Sequence, residues 1–322
     1  MERGSNFKEN LKAVPIPLLP TFVGLATLSN VYNGLGYIFM RHIVMILSML
    51  VLALYLSKVV CHMDTVKKEY QATVPASLYA GITMLTMIIG SYLFDYNQLI
   101  GKGLWFTGLI LHAIHIVIFT YRNVFKNFVM DVFVPSWFVT YNGILVSTVV
   151  GVPMNEPEIA KIVVYYGIAV FLLIIPFMIY RLIKFDIKDA MYHTQAIILA
   201  PSSLCLVGYL NFIKEPNQVV VYGLYIAVLL SLAFILYKLP KFLSFDFNPG
   251  FAGLTFPMAI GIVASTKMAG FLTTTGNEAL ATIVNQISGI QIFITTAIIG
   301  FVIFNFYKLL STIFKNNKIC YS

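Results

Sequence analysis

The feature that most constrains this chain is a succession of apolar runs, each about the length of a bilayer-crossing helix, separated by short stretches of charge, Pro, Gly and Asn. A hydrocarbon core about 30 Å thick requires about 20 mostly apolar residues per helical span. Runs of that kind occur at 16–37, 43–61, 75–94, 103–121, 133–152, 159–180, 195–212, 219–237, 249–266 and 286–307. No interval between them is long enough to fold as a soluble domain. Residues 15–310 are therefore expected to form one all-α membrane domain of ten helices, with cytoplasmic tails at 1–14 and 311–322. The 322 residues are 59% hydrophobic and 11% charged, whereas a soluble domain is about one quarter charged.

Charge placement tests this count. Sixteen basic residues fall on the side expected to hold the tails: Arg3, Lys8, Lys12, Lys58, Lys67, Lys68, Arg122, Lys126, Arg181, Lys184, Lys188, Lys238, Lys241, Lys308, Lys315 and Lys318. Arg41, Lys102, Lys161, Lys214 and Lys267 fall on the other, which completes the 21. The positive-inside rule places both tails in the cytoplasm of a cell-membrane protein and requires an even number of spans. It also accounts for the net charge of +8 without a nucleic-acid partner. The first fourteen residues lack the apolar core of a secretory signal. Cys61, Cys205 and Cys320 have neither metal-ligand nor disulfide spacing and are expected to be free thiols.

A repeat runs through the odd-numbered spans: Pro17 with Gly24, Pro75 with Gly81, Pro135 with Gly143, and Pro201 with Gly208. The ninth span varies it as Asn248-Pro249-Gly250, then Phe256-Pro257 and Gly261. The hairpin-length period predicts five helical hairpins in one orientation that stack to bury their surfaces. Each proline can sit in a first helical turn, where its missing N–H is harmless. Pro257 follows apolar residues belonging to its span and is expected to kink the helix. The glycines can be helix-packing positions or pore-lining ones. Together these features predict an inner ring of odd helices around a central pore, with the even helices outside.

The odd spans carry no Asp, Glu, Lys, Arg or His at membrane depth. Such a lining can pass a weakly held ion, and the basic cytoplasmic mouth favours anions. A bulky ring at a narrow point would close it, and Phe256 is the candidate gate. Asn142 can either line the pore or bond to a neighbouring helix. His112 and His115, spaced i, i+3 on the fourth span, have no acidic or thiol partner there and read as packing residues, not a metal site. No nucleotide loop, catalytic triad or paired intramembrane carboxylates occur, so neither an enzyme nor a cofactor is expected.

The segment Leu254-Thr255-Phe256-Pro257-Met258-Ala259-Ile260-Gly261-Ile262-Val263-Ala264-Ser265 resembles the ninth-helix signature of the tellurite-resistance and dicarboxylate transporter family, which includes TehA and the plant slow-type anion channels. Phe22-Val23-Gly24-Leu25-Ala26-Thr27-Leu28-Ser29 is similar to that family's first helix, and Val134-Pro135-Ser136-Trp137-Phe138 with Asn142-Gly143 to its fifth. The resemblance implies a homotrimer with one pore per protomer, closed by the phenylalanine matching Phe256 and selective for chloride or nitrate. The alternative it carries is a proton-coupled carrier of a C4-dicarboxylate such as malate, or a tellurite-type oxyanion exporter. The tails are too short to match the kinase-controlled termini of the plant channels.

Overall fold

The computed structural model describes residues 7–316; Arg3, Lys318 and Cys320 lie outside them. The helices are α1 (Leu18–Gly34), α2 (Ile38–Cys61), α3 (Met63–Gln71), α4 (Thr73–Phe94), α5 (Gln98–Thr120), α6 (Trp137–Tyr141), α7 (Val146–Val150), α8 (Pro157–Lys184), α9 (Leu199–Phe212), α10 (Gln218–Leu243), α11 (Thr255–Thr274) and α12 (Glu278–Asn316). Among the described residues, eight helical spans are long and apolar enough to cross a bilayer. There are nine if the short helix Phe7–Ala13 and α1, bent by 85°, count as one. The expected segment at 133–152 is not one continuous helix. It is α6, a 3-10 turn over Gly143–Leu145 and α7, each too short to span alone. Asn142 ends α6, and the following glycine allows the tighter turn.

The spans divide by burial. In α4, in 189–212 and in 249–274, between 72% and 83% of the most apolar window is buried; in α2, α5, α8, α10 and α12 the figure is 22–33%. The second set turns Leu50, Val117, Leu173, Leu230 and Phe293 outward, as helices facing lipid do. α1, α6 and α7 are also mostly buried, and contacts run from α1 to α4, from α4 to α7, from α7 to α9, from α9 to α11, and from α11 back to α1. Among the lipid-facing helices, α2 packs mainly on α1, α5 on α4, α8 and α10 on α9, and α12 on α11.

Local chemistry sets the hairpin turns. Gly36 and Gly276 have φ of +93° and +81°, and each closes a helix with a Schellman pair. Tyr37 N donates to the Tyr32 carbonyl (2.9 Å), and Asn277 N to that of Leu272 (2.8 Å). Asn155, also left-handed, turns the chain before α8. Asn97 and Asn217 cap α5 and α10, accepting from Ile100 N (3.0 Å) and Val219 N (2.9 Å). These turns occupy the distal end of the bundle. The end holding Phe7 and Phe314, whose rings stack at 5.7 Å, is called proximal below.

Candidate permeation pathway

A cavity of about 340 Å³ enters the bundle from the proximal end. Its wall comes from all five buried segments: Pro17 and Pro20 at the start of α1; Val74, Pro75 and Met84 of α4; Phe138, Val139 and Gly143; Thr194, Ala200 and Leu204; and Asn248, Pro249, Phe256 and Pro257. None of its residues belongs to α2, α5, α8, α10 or α12, and none is charged. Along each segment the last wall residue is Pro20, Met84, Gly143, Leu204 or Pro257. Phe256, only 5% exposed, is part of this wall.

Local sequence places Phe256 there. Pro20, Pro75, Pro201 and Pro257 are each the third residue of α1, α4, α9 and α11. A proline tolerates the first turn because that turn's N–H groups have no partner within the helix. The residues before three of these prolines, Val74, Ala200 and Phe256, line the cavity. A structural repeat thus presents the same register several times and bears an aromatic ring at one of those positions. Pro257 follows a 3-10 turn over Pro249–Leu254, so the irregular backbone expected at Pro257 lies one step earlier, where 3-10 gives way to α. Of the other repeat prolines, Pro17 caps α1, Pro135 lies two residues before α6, and Pro249 opens the 3-10 turn.

The site glycines differ in placement. Gly143 alone lies on the cavity wall. Gly24 is pressed against α11: a Cβ there would meet Phe256 N at 2.6 Å and the Thr255 carbonyl carbon at 2.7 Å. Gly81 faces Leu19, Gly208 faces Thr148 and Val164, and Gly261 faces Leu199 and Gln291. These four let helices approach closely behind the cavity. Asn142 also points away from it, donating through Nδ2 to the Gly167 carbonyl of α8 (2.9 Å). Thr255 locks the first turn of α11 by donating to the Ala252 carbonyl (2.8 Å) beside that of Pro20 (3.3 Å).

Two features escape a reading of apolar runs. The 3-10 stretches Asp189–Ile198 and Pro249–Leu254 supply much of the mouth. Asn248 offered a signal for the second, because its Oδ1 accepts from Gly250 N (2.9 Å) in an Asx turn; the first offered none. Behind Gly143 lies a buried polar chain. His112 Nε2 donates to the Thr140 carbonyl (2.9 Å), and its Nδ1 lies 2.7 Å from Thr83 Oγ1. His115 lies 2.8 Å from Tyr70 Oη and 3.2 Å from Thr140 Oγ1. Both rings are thus committed to neighbouring helices. Among the described residues no three His, Cys, Asp or Glu side chains are grouped to hold a metal.

A comparison with protein families matches residues 14–310 to the SLAC1 family, described as voltage-dependent anion channel. The chain belongs to this family. Membership covers every buried segment and the whole cavity, and makes the protein a multi-pass membrane protein of an anion channel and transporter class. Among curated proteins no individual relative matches the chain. Within this SLAC1-family chain, the Phe-Pro pair of α11 lines a cavity shared by five segments.

Proposed function

We propose that this SLAC1-family protein is a passive channel for small monovalent anions such as chloride and nitrate, with Phe256 as its gate. The observation that carries this reading is the uncharged cavity to which all five buried segments contribute and whose wall includes the buried ring of Phe256. Ten spans in five hairpins, the buried five surrounding the pore, are part of the proposal, with the broken α6–α7 stretch counted as one. Non-helical backbone at membrane depth is tolerated where it lines a cavity inside protein. The sixteen-to-five division of basic residues supports cytoplasmic tails and insertion in the cell membrane.

Anion preference follows from weak, distributed attraction. First turns of α1, α4, α9 and α11 form the wall, and helix starts carry partial positive charge. A dicarboxylate carrier would be expected to place fixed cations beside its dianion, and the wall offers none. Because the cavity lies within one chain, each protomer of the trimer implied by resemblance would conduct independently.

The test is current across a planar bilayer containing purified protein. Phe256→Ala is expected to raise anion current at least about tenfold, corresponding to about 1.4 kcal/mol less barrier, with a reversal potential that follows the anion gradient. A well-folded variant as silent as the wild type would defeat the gate assignment. Saturable uptake driven by a pH gradient would favour the carrier instead.

A further inference from the structure

The distal side carries five basic residues, and three are neutralised. Arg41 pairs with Asp95 (2.7 Å), Lys102 with Glu156 (2.6 Å) and Lys161 with Glu158 (2.8 Å). Among the described residues, Lys214 and Lys267 form no ion pair, and both line a second cavity, of about 610 Å³, at the distal ends of α9 and α11. Gln218, Thr266, Thr274 and Thr275 complete its polar wall. The remaining acids of this side, Glu215 and Glu278, are not part of that wall, although Glu215 follows Lys214 in the chain.

Helix register relates this cavity to the other. Lys267 comes eleven residues after Phe256 in α11. At 3.6 residues per turn, that is about three full turns and about 16 Å of rise, which returns to the same face of the helix. The two cavities thus lie along one face of α11. Between Phe256 and Lys267 that face carries Ile260, which is fully buried, and Val263, which is half-buried.

We propose that Lys214 and Lys267 form an anion-gathering site at the distal mouth, taking small monovalent anions by charge from the lysines and hydrogen bonds from the hydroxyl and amide groups. The proposal rests on the anion-conduction reading for its role in transport, but not for binding. Two unit charges at about 8 Å raise the local concentration of a monovalent anion about three- to fivefold in dilute salt, and the effect vanishes near 1 M, where the screening length is about 3 Å.

Two measurements test it on the full chain. In a Phe256→Ala background, adding Lys214→Gln and Lys267→Gln is expected to reduce chloride current entering from the distal face about three- to fivefold at about 10 mM salt, and to leave it unchanged at about 1 M. Lys214→Arg with Lys267→Arg should keep the full current. No loss at low salt, or a loss persisting at high salt, overturns the site. Independently of conduction, excess broadening of the chloride-35 NMR line by detergent-solubilised protein should fall in the glutamine pair and persist in the arginine pair. Equal broadening by wild type and the glutamine pair also overturns it. If binding behaves as expected while neither wild type nor Phe256→Ala conducts, the channel reading fails and the site stands.

Discussion

Replacing Gly24 with alanine adds a single methyl group at the place where α1 meets α11, and the structure fixes what that methyl encounters. It would lie 2.6 Å from Phe256 N, 2.7 Å from the Thr255 carbonyl carbon and 2.9 Å from Thr255 Cβ. Carbon contacts settle at about 3.5–4.0 Å, so α1 and α11 would have to part by about 1 Å. The first two atoms are backbone and cannot rotate aside, and the third is held by the buried Thr255 hydroxyl bonded to Ala252 and Pro20. Overpacking of this kind costs about 1–3 kcal/mol. At about 1.5 °C per kcal/mol for a chain of this size, the melting temperature should fall by about 1.5–4.5 °C. Gly300→Ala makes the same chemical change in α12 with nothing within 4 Å of the new Cβ. There the gain from removing a glycine inside a helix, about 0.5–1 kcal/mol, should leave stability equal or higher. Thermal unfolding of detergent-purified protein, followed by size-exclusion fluorescence, compares the two. Equal shifts would refute the reasoning, because a helix-propensity effect does not distinguish the positions and a steric clash does.

Further outcomes follow from two buried cations at the proximal end. Lys58, 1% exposed, pairs with Glu69 at 2.8 Å and donates to the Val14 carbonyl at 2.9 Å. Glu69→Gln leaves that ammonium without its counterion and should destabilise by about 3–5 kcal/mol, with Lys58→Met added to it restoring most of the loss, as a double-mutant cycle of melting curves would record. Arg181, 2% exposed, has no carboxylate partner among the described residues and spreads its guanidinium over the carbonyls of Met130, Asp131, Phe185 and Asp186 at 2.7–3.4 Å. A lysine cannot reach all four from one nitrogen, so Arg181→Lys should lose about 1.5–3 kcal/mol and lower the melting temperature in the same assay.

How much of the site is legible in sequence depends on the kind of signal. Phe256-Pro257 stands out because proline marks a turn of helix wherever it falls, but the sequence period aligned Pro17 and Pro249 with Pro75 and Pro201, where the structure aligns Pro20 and Pro257. The same reasoning left Gly24, Gly81, Gly208 and Gly261 between two readings. Whether a missing Cβ admits a pore or a neighbouring helix depends on what lies opposite, and Phe256 N, Leu19, Thr148 and Leu199 come from distant parts of the chain. Asn142 was open for the same reason, and its partner Gly167 lies 25 residues away.

Sequence alone determined that a bilayer is the solvent of this chain and where its long apolar helices fall, because both depend on local composition and length. Tertiary structure decided that residues 133–152 break into short helices, that 3-10 turns build the proximal mouth, and that three distal cations are neutralised while Lys214 and Lys267 share a cavity. Those outcomes depend on which side chain meets which across the bundle, and packing distances of a few ångströms between residues far apart in sequence settle them.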